Sequence, residues 1–267
     1  MFCQKLINSN IEIYLNFTSL LNYLFHFKMK HIPNFITSLN LASGFIAIIF
    51  VANGDLLTAS WLILAAMIFD FLDGLSARLL KAYSDIGKEL DSLADVVSFG
   101  VAPALIIYQM LNNSLSLFAP NMVATDGLLA SLVLIFPAIM PICGALRLAK
   151  FNIDTTQTKS FKGLPIPANA LAVISVVIAS HYSQSQLINS FTASPILLIL
   201  FTLILSLLMV TRIPLFSLKI SNFKLKGNEG RFILAGLIVI FFAIFGIMAL
   251  PLIVPLYLVS SALSLLF

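Results

Sequence analysis

The sequence is short of charge. Its 267 residues carry only 15 Lys and Arg and 11 Asp and Glu, 10% of the chain. An ordinary soluble domain has roughly a quarter of its residues charged, so a water-facing surface of this size is excluded. Cysteine is scarce too. Cys3 and Cys143 have no metal-ligand spacing, and Cys143 lies in an apolar run, which leaves no disulfide framework. There is no internal repeat and no low-complexity tail. The first residues lack a basic start and a small-residue cleavage site, so no signal peptide is expected. Met29 is a second candidate start, with 1–28 as an extension; both starts stay open.

What is abundant is hydrocarbon: 60% of residues are hydrophobic and the mean hydropathy is +1.05. Several apolar runs approach or exceed the ~18 residues that cross a bilayer. The expected fold is all-α, a polytopic transmembrane helix bundle of about eight spans with a polar cavity facing the cytoplasm. The spans read as 34–52, 56–78, 88–111, 127–149, 166–183, 194–211, 231–249 and 251–267. Asn53-Gly54-Asp55 makes the first turn. Pro251 and Pro255 either tighten the last turn or break one segment in two. Three parts follow: an N-terminal juxtamembrane or interfacial segment (1–33), a transmembrane core (34–230) and a C-terminal helix pair (231–267). Within the first, Ile11–Phe27 reads as an interfacial amphipathic helix ending in Lys28, Lys30 and His31.

All the basic residues fall on one side of this arrangement. Lys5, Lys28 and Lys30 precede the first span, and Arg78, Lys81 and Lys88 flank the second loop. Arg147, Lys150, Lys159 and Lys162 surround the fourth loop; Arg212, Lys219, Lys224, Lys226 and Arg231 surround the sixth. The opposite loops, 53–55, 112–126, 184–193 and around 250, carry none. Cytoplasmic loops collect Lys and Arg, so both termini and the 78–88 turn are expected inside, on an even number of spans. The net charge of +4 therefore reads as topology, and no nucleic-acid partner is expected.

Against this background four carboxylates stand out: Asp70, Asp73, Asp91 and Asp95, within or beside long apolar runs. An acid at membrane depth is costly and marks a function. Each helical residue advances about 100°, so Asp70 and Asp73 are neighbours, with Gly74 and Ala77 on the same face. Gly87, Asp91 and Asp95, at i, i+4 and i+8, line one face of the next helix. Two helices joined by a turn thus point four acids into one space. Four like charges in low dielectric repel unless cations neutralise them. Carboxylate oxygens suit Mg²⁺ or Mn²⁺, and the pattern reads as a site for two divalent ions engaged in phosphoryl chemistry. Gly74, Ala77 and Gly87 keep the face small and leave room for a substrate. Arg78 brings a guanidinium suited to bidentate phosphate binding. Asp85, between the helices, reads as a turn residue.

Residues 70–95 carry Asp70-x-x-Asp73-Gly74-x-x-Ala77-Arg78, then Gly87, Asp91 and Asp95, every fixed position of one signature. On these residues the chain resembles the CDP-alcohol phosphatidyltransferases, membrane enzymes that move a phosphatidyl group from a CDP-linked lipid to an alcohol. The resemblance implies that Asp95 is also the general base for the alcohol. It implies too that Gly74, Ala77, Arg78 and Gly87 bind the CDP-lipid, and that the protein is a homodimer. Flanking strings narrow it: Ile32-Pro33-Asn34, Thr37-Ser-Leu-Asn40-Leu-Ala-Ser-Gly44, Asp91 to Pro103, Gly144-Ala-Leu-Arg147-Leu-Ala-Lys150-Phe-Asn152 and Phe161 to Ala168. These are similar to the bacterial subfamily that uses L-serine and CDP-diacylglycerol, over roughly 30–250, in the inner (cytoplasmic) membrane. Lys150 and Ile166 depart from the Arg and Ser usual there.

The residues agree with that implication. Serine offers a carboxylate, and Arg147 with Lys150, at i and i+3 near the cytoplasmic end of a span, supplies cations for it; snorkelling to the interface is the alternative. Thr37 and Asn40, one turn apart, are candidates to meet the nucleotide or to make a helix–helix contact. Ser98 continues the Asp91–Asp95 face towards the acceptor. Two other readings stay open: the same chemistry with glycerol 3-phosphate or an inositol phosphate as acceptor, and, from a different class, a divalent-cation or small-solute transporter.

Overall fold

The computed structural model describes residues 31–118, 128–153, 160–183, 185–216 and 228–264. The interfacial helix expected at 11–27 and the loop lysines Lys159, Lys219, Lys224 and Lys226 lie outside them. The chain is a helical bundle. Helix α1 (His31–Ala52) turns through Asn53 and Gly54 into α2 (Leu56–Leu79). Asp55 caps α2, its side chain accepting from the Thr58 N–H at 2.9 Å, and these hydrogen bonds hold its carboxyl below the usual range. Helix α3 (Asp85–Asp95) runs through a π-helical turn, Val96–Val101, into α4 (Ala102–Phe118). Helix α5 (Leu128–Ile135) reaches α6 (Ile139–Ile153) through a 3-10 turn that contains Pro137. Then come α7 (Ile166–Tyr182), α8 (Gln186–Ala193), α9 (Pro195–Val210), α10 (Glu229–Phe245) and α11 (Ile253–Leu263).

Among the described residues, five stretches are long and apolar enough to cross a membrane: 31–52, 56–79, 85–117, 131–153 and 229–263. A sixth joins them if α8 and α9, bent by 85° at Ser194-Pro195, count as one. The chain is therefore a multi-pass membrane protein. Helix α7 is too short for that length rule, yet it is the centre of the bundle. It packs on α2, α4, α9, α11 and the π turn, and most of its residues are buried. The stretch 229–263 turns back on itself. Gly246 takes φ +57 at the end of α10, a conformation a side chain resists, and α10 then packs along α11. A Cβ on Gly230 would stand 2.8 Å from Ser264 Cβ, so the start of one helix meets the end of the other. Phe35, Phe45, Ile68, Phe71, Ile196 and Val239 project outward, as side chains bathed in lipid do.

One feature departs from an all-α chain. Ser160–Lys162 (β1) and Pro214–Phe216 (β2) pair antiparallel, with Phe161 opposite Leu215. Beyond β1, the Gly163 and Leu164 N–H groups donate to Ile213 O and Leu208 O at 2.9 Å, and the second bond satisfies a carbonyl left over in the last turn of α9.

Candidate active site

Helices α2 and α3 bring the acids together at one end of the bundle. Ser84 caps α3, accepting from the Gly87 N–H at 3.0 Å, and Asp85 occupies its first turn, where a negative charge favours the helix dipole. Asp85 is exposed and outside the cluster. One carboxylate oxygen from each of Asp70, Asp91 and Asp95 lies within 4.8 Å of the other two. Asp95 is only 7% exposed. Asp73 stands apart from this trio: buried, it turns towards Thr37 of α1. Asp91 Oδ1 and Asp73 Oδ2 are buried without a hydrogen-bond partner among the described residues. Each such atom costs about 1–3 kcal/mol, a debt that a bound cation or substrate cancels.

The π turn positions Asp95. Its widened pitch, with Ala102 N–H bonded to Val97 O, directly follows that residue, and such turns gather at functional sites. Three contacts hold it. Ser98 Oγ donates to Asn40 O at 3.0 Å, and Asn40 Nδ2 donates to Asp95 Oδ1 at 3.4 Å, so α1 grips both the turn and the acid. Gly44 lets α1 come this close. From α7, Asn169 Nδ2 donates to Phe99 O at 3.5 Å. Pro103 lacks the N–H that a regular helix would give that carbonyl. Asn152 of α6 ties α3 down, accepting from Lys88 Nζ through its carbonyl and donating to Ser92 Oγ, both at 3.0 Å.

Arg147, on α6, is 8% exposed and within electrostatic reach of Asp95 and Tyr257; its Nε has no partner among the described residues. Lys150 is exposed on the last turn of α6, and Arg78 is exposed on the last turn of α2. A Cβ added at Gly74 meets nothing within 4 Å, so the space there is open. Gly87 differs. Its Cβ would meet Asn34 Oδ1 at 2.8 Å and Ser84 Oγ at 2.9 Å, so its smallness serves packing as well. Ala77 is half-buried between them. Thr37 spends its proton on Pro33 O, and Ser98 is fully buried with its proton on Asn40 O. Sequence reasoning missed Gly44 and Asn169, which hold the π turn against α1 and α7. A buried-type amide in the apolar run of α7 was a readable signal for Asn169. A cavity of about 630 Å³ lies far from the acids, lined by Asp55, Asn113, Ser180 and His181. It sits about 21 Å along α2 from Asp70 at 1.5 Å per residue.

Three carboxylates from two helices make an all-oxygen cluster that could hold a hard divalent cation. Comparison with known proteins agrees. Residues 30–210 match the family model described as CDP-alcohol phosphatidyltransferase. The CDP-diacylglycerol–serine O-phosphatidyltransferase of Bacillus subtilis (strain 168) is 38% identical over 185 residues, 69% of this chain and 89% of that one. The enzyme of that name from Methanocaldococcus jannaschii is 39% identical over 178 residues, 67% and 72% of the two chains. The one from Helicobacter pylori (strain 26695) is 35% identical over 208 residues, 76% and 77%. With the full signature on α2 and α3 inside the matched segment, this chain belongs to the CDP-alcohol phosphatidyltransferase family.

Proposed function

We propose that this protein transfers the phosphatidyl group of CDP-diacylglycerol to L-serine, giving phosphatidylserine and CMP. The observation that carries the reading is the Asp70, Asp91 and Asp95 cluster beside buried Arg147, in a chain whose relatives bear that activity in their names. The donor set fits divalent ions: it is all carboxylate, and Asp91 Oδ1 and Asp73 Oδ2 lack partners among the described residues. Asp70, Asp73, Asp91 and Asp95 would hold two ions, Mg²⁺ or Mn²⁺, which when bound supply positive charge to the diphosphate and to departing CMP.

The chain's own groups do the rest. Gly74 leaves open space beside the acids, and with Ala77 and Gly87 it forms the wall against which the CDP-lipid lies. Arg78, exposed at the end of α2, takes phosphate oxygen. Thr37 lies on the same side of α1 as Asn40, which orients Asp95 through the bond to its Oδ1. Asp95 accepts the proton of the serine hydroxyl as general base. The serine oxygen then attacks the phosphorus that bears diacylglycerol, and the bond to CMP breaks. Arg147, with Lys150 nearer the surface, holds the serine carboxylate. Ser98 lies between Asn40 and the acceptor side and keeps α1 on the π turn.

The same reading places the site and both termini on the cytoplasmic face of a bacterial cell membrane, because the basic residues lie at that end. It counts eight passes, with α7, the bent α8–α9 pair and the two arms of the C-terminal hairpin each taken as one. Residues 1–33 are then a juxtamembrane segment, 34–230 the catalytic core and 231–267 the hairpin, in a homodimer.

The test is CMP release from CDP-diacylglycerol by purified enzyme, across serine, glycerol 3-phosphate and inositol phosphate, with Mg²⁺, Mn²⁺ or chelator. Release with serine alone, lost on chelation and restored by either ion, is the expected result. Release with a phosphorylated acceptor instead would keep the acids and overturn the serine pocket. No release with any alcohol would favour a transporter.

A further inference from the structure

Three elements meet one turn away from Asp95 and Arg147. Gly100 follows Asp95 by five residues, one repeat of the π turn, and Gly144 precedes Arg147 by three, about one turn of α6. Both glycines are buried. A Cβ on Gly100 would stand 3.3 Å from Pro141 Cα, so the π turn rests closely on the backbone of α6. That same Cβ would stand 3.6 Å from Ile166 Cδ1, and a Cβ on Gly144 would stand 2.5 Å from it. The tip of Ile166, the first residue of α7, thus fills a slot with one glycine from the turn and one from the helix. Ile166 is fully buried there.

The backbone on either side of this residue is fastened. Gly163 has φ +79, and a Cβ on it would stand 2.6 Å from Thr211 O, so only glycine brings the chain this near the end of α9. Just past the β1–β2 ribbon, the Gly163 and Leu164 N–H groups donate to Ile213 O and Leu208 O. Pro165 then enters α7 with φ −57. One turn after Ile166, Asn169 donates to Phe99 O, next to Gly100. A β-branched side chain is stiff at χ1, so a tip held this way works as a spacer.

We propose that Ile166 is a positioning residue for the acceptor. Its δ-methyl sets the spacing between the π turn that follows Asp95 and the stretch of α6 that carries Arg147, and with it the length of amino-acid alcohol that reaches both. This rests on reading Arg147 as the carboxylate anchor opposite Asp95, and the experiment separates the two. The quantities measured are kcat and the KM of L-serine, L-homoserine and CDP-diacylglycerol, for G144A, I166V, G144A/I166V, I166A and R147Q. G144A sets a methyl against Ile166 Cδ1 and drives the two walls apart by about 1 Å, because carbon atoms settle about 3.5–4.0 Å apart. Serine KM is expected to rise about tenfold while CDP-diacylglycerol KM stays within twofold. Homoserine, one methylene longer, is expected to lose less, so that the preference for serine falls about tenfold, the worth of one methylene. I166V removes the clashing carbon and leaves Cγ1 at 3.3 Å, so the double variant is expected to regain the serine preference of I166V alone. I166A takes the spacer away without adding bulk; it is expected to lower the serine preference too, and it decides the matter if G144A does not fold. Unchanged serine preference in G144A or I166A, while R147Q raises serine KM, overturns the proposal and leaves the anchor standing. A double variant no better than G144A overturns it as well, because the contact with Ile166 would not be the cause. So does a rise in CDP-diacylglycerol KM equal to that in serine KM, since Ile166 would then only pack the bundle. Unchanged serine KM in R147Q removes the anchor and the proposal together.

Discussion

Gly44→Ala probes the contact on which Asp95 depends. An added Cβ there would stand 2.2 Å from Ser98 Oγ and 2.7 Å from Ser98 Cα. The hydroxyl can rotate away, but the Cα cannot. Carbon atoms settle about 3.5–4.0 Å apart, so α1 and the π turn must separate by about 1 Å. Two bonds of Asn40 cross that gap, one from Ser98 Oγ and one to Asp95 Oδ1, the latter already 3.4 Å long. Both are lost when the gap opens. Overpacking costs about 1–3 kcal/mol of stability, which a bundle of this size survives. A catalytic group displaced by 1 Å costs about 100-fold in rate, or about 2.7 kcal/mol of barrier. The assay is CMP release from CDP-diacylglycerol and serine, beside size exclusion and thermal unfolding in detergent. We expect a folded variant with kcat down about 100-fold. Ser98→Gly, added to it, restores activity only in part, because the Cα clash remains. A G44A enzyme within threefold of wild type would refute the reasoning and free Asp95 from dependence on α1.

Other substitutions separate the remaining roles. Asp95→Asn removes the proposed general base and should lower kcat by about 100-fold or more, with CDP-lipid binding still measurable by calorimetry; wild-type turnover would end the base assignment. Gly74→Leu enters space that the protein itself leaves open, so it should weaken CDP-lipid binding with the melting temperature unchanged; unaltered affinity would move the nucleotide elsewhere. Asn152→Ala breaks the bond to Ser92 and should cost about 1 kcal/mol of stability, with a smaller loss of kcat than G44A. A larger loss of kcat would mean that α6, rather than α1, sets the position of α3.

The acid cluster was legible because helical spacing is a local property. Gly87, Asp91 and Asp95 share a face whatever packs on it, and Asp91 and Asp95 do meet Asp70. Asp73 was less legible. Residues three apart diverge by about 60° around a helix, and the rotation of α2 against its neighbours decides which of the two meets α3. The trio took Asp70, and Asp73 went to Thr37 on α1. The π turn was hidden for a related reason. Pro103 removes one donor, but what holds the widened pitch is Asn40 and Asn169, from α1 and α7. The apolar run 166–183 was legible and forms α7, whereas the helix Gln186–Ala193 and its 85° bend into α9 fell in a stretch read as a loop.

The glycines show the limit most plainly. Smallness at Gly74 and Gly87 was read from sequence as one fact, room for a substrate. The structure divides it: Gly74 borders open space, whereas Gly87 makes room for Asn34 and Ser84. Gly44 does neither, and admits a neighbouring backbone. A missing side chain says only that something comes close. Whether that is a ligand, a side chain or a helix is a property of the partner, and the partners of these three lie on other segments of the chain. The same holds for Tyr257, about 110 residues beyond Arg147 and outside the matched family segment. Its bond to Phe216 O follows from the hairpin's return to the ribbon, a tertiary event that no local pattern encodes. Signature residues therefore report the chemistry of such a site, and the residues that hold them report its geometry; only the first are written at fixed spacing.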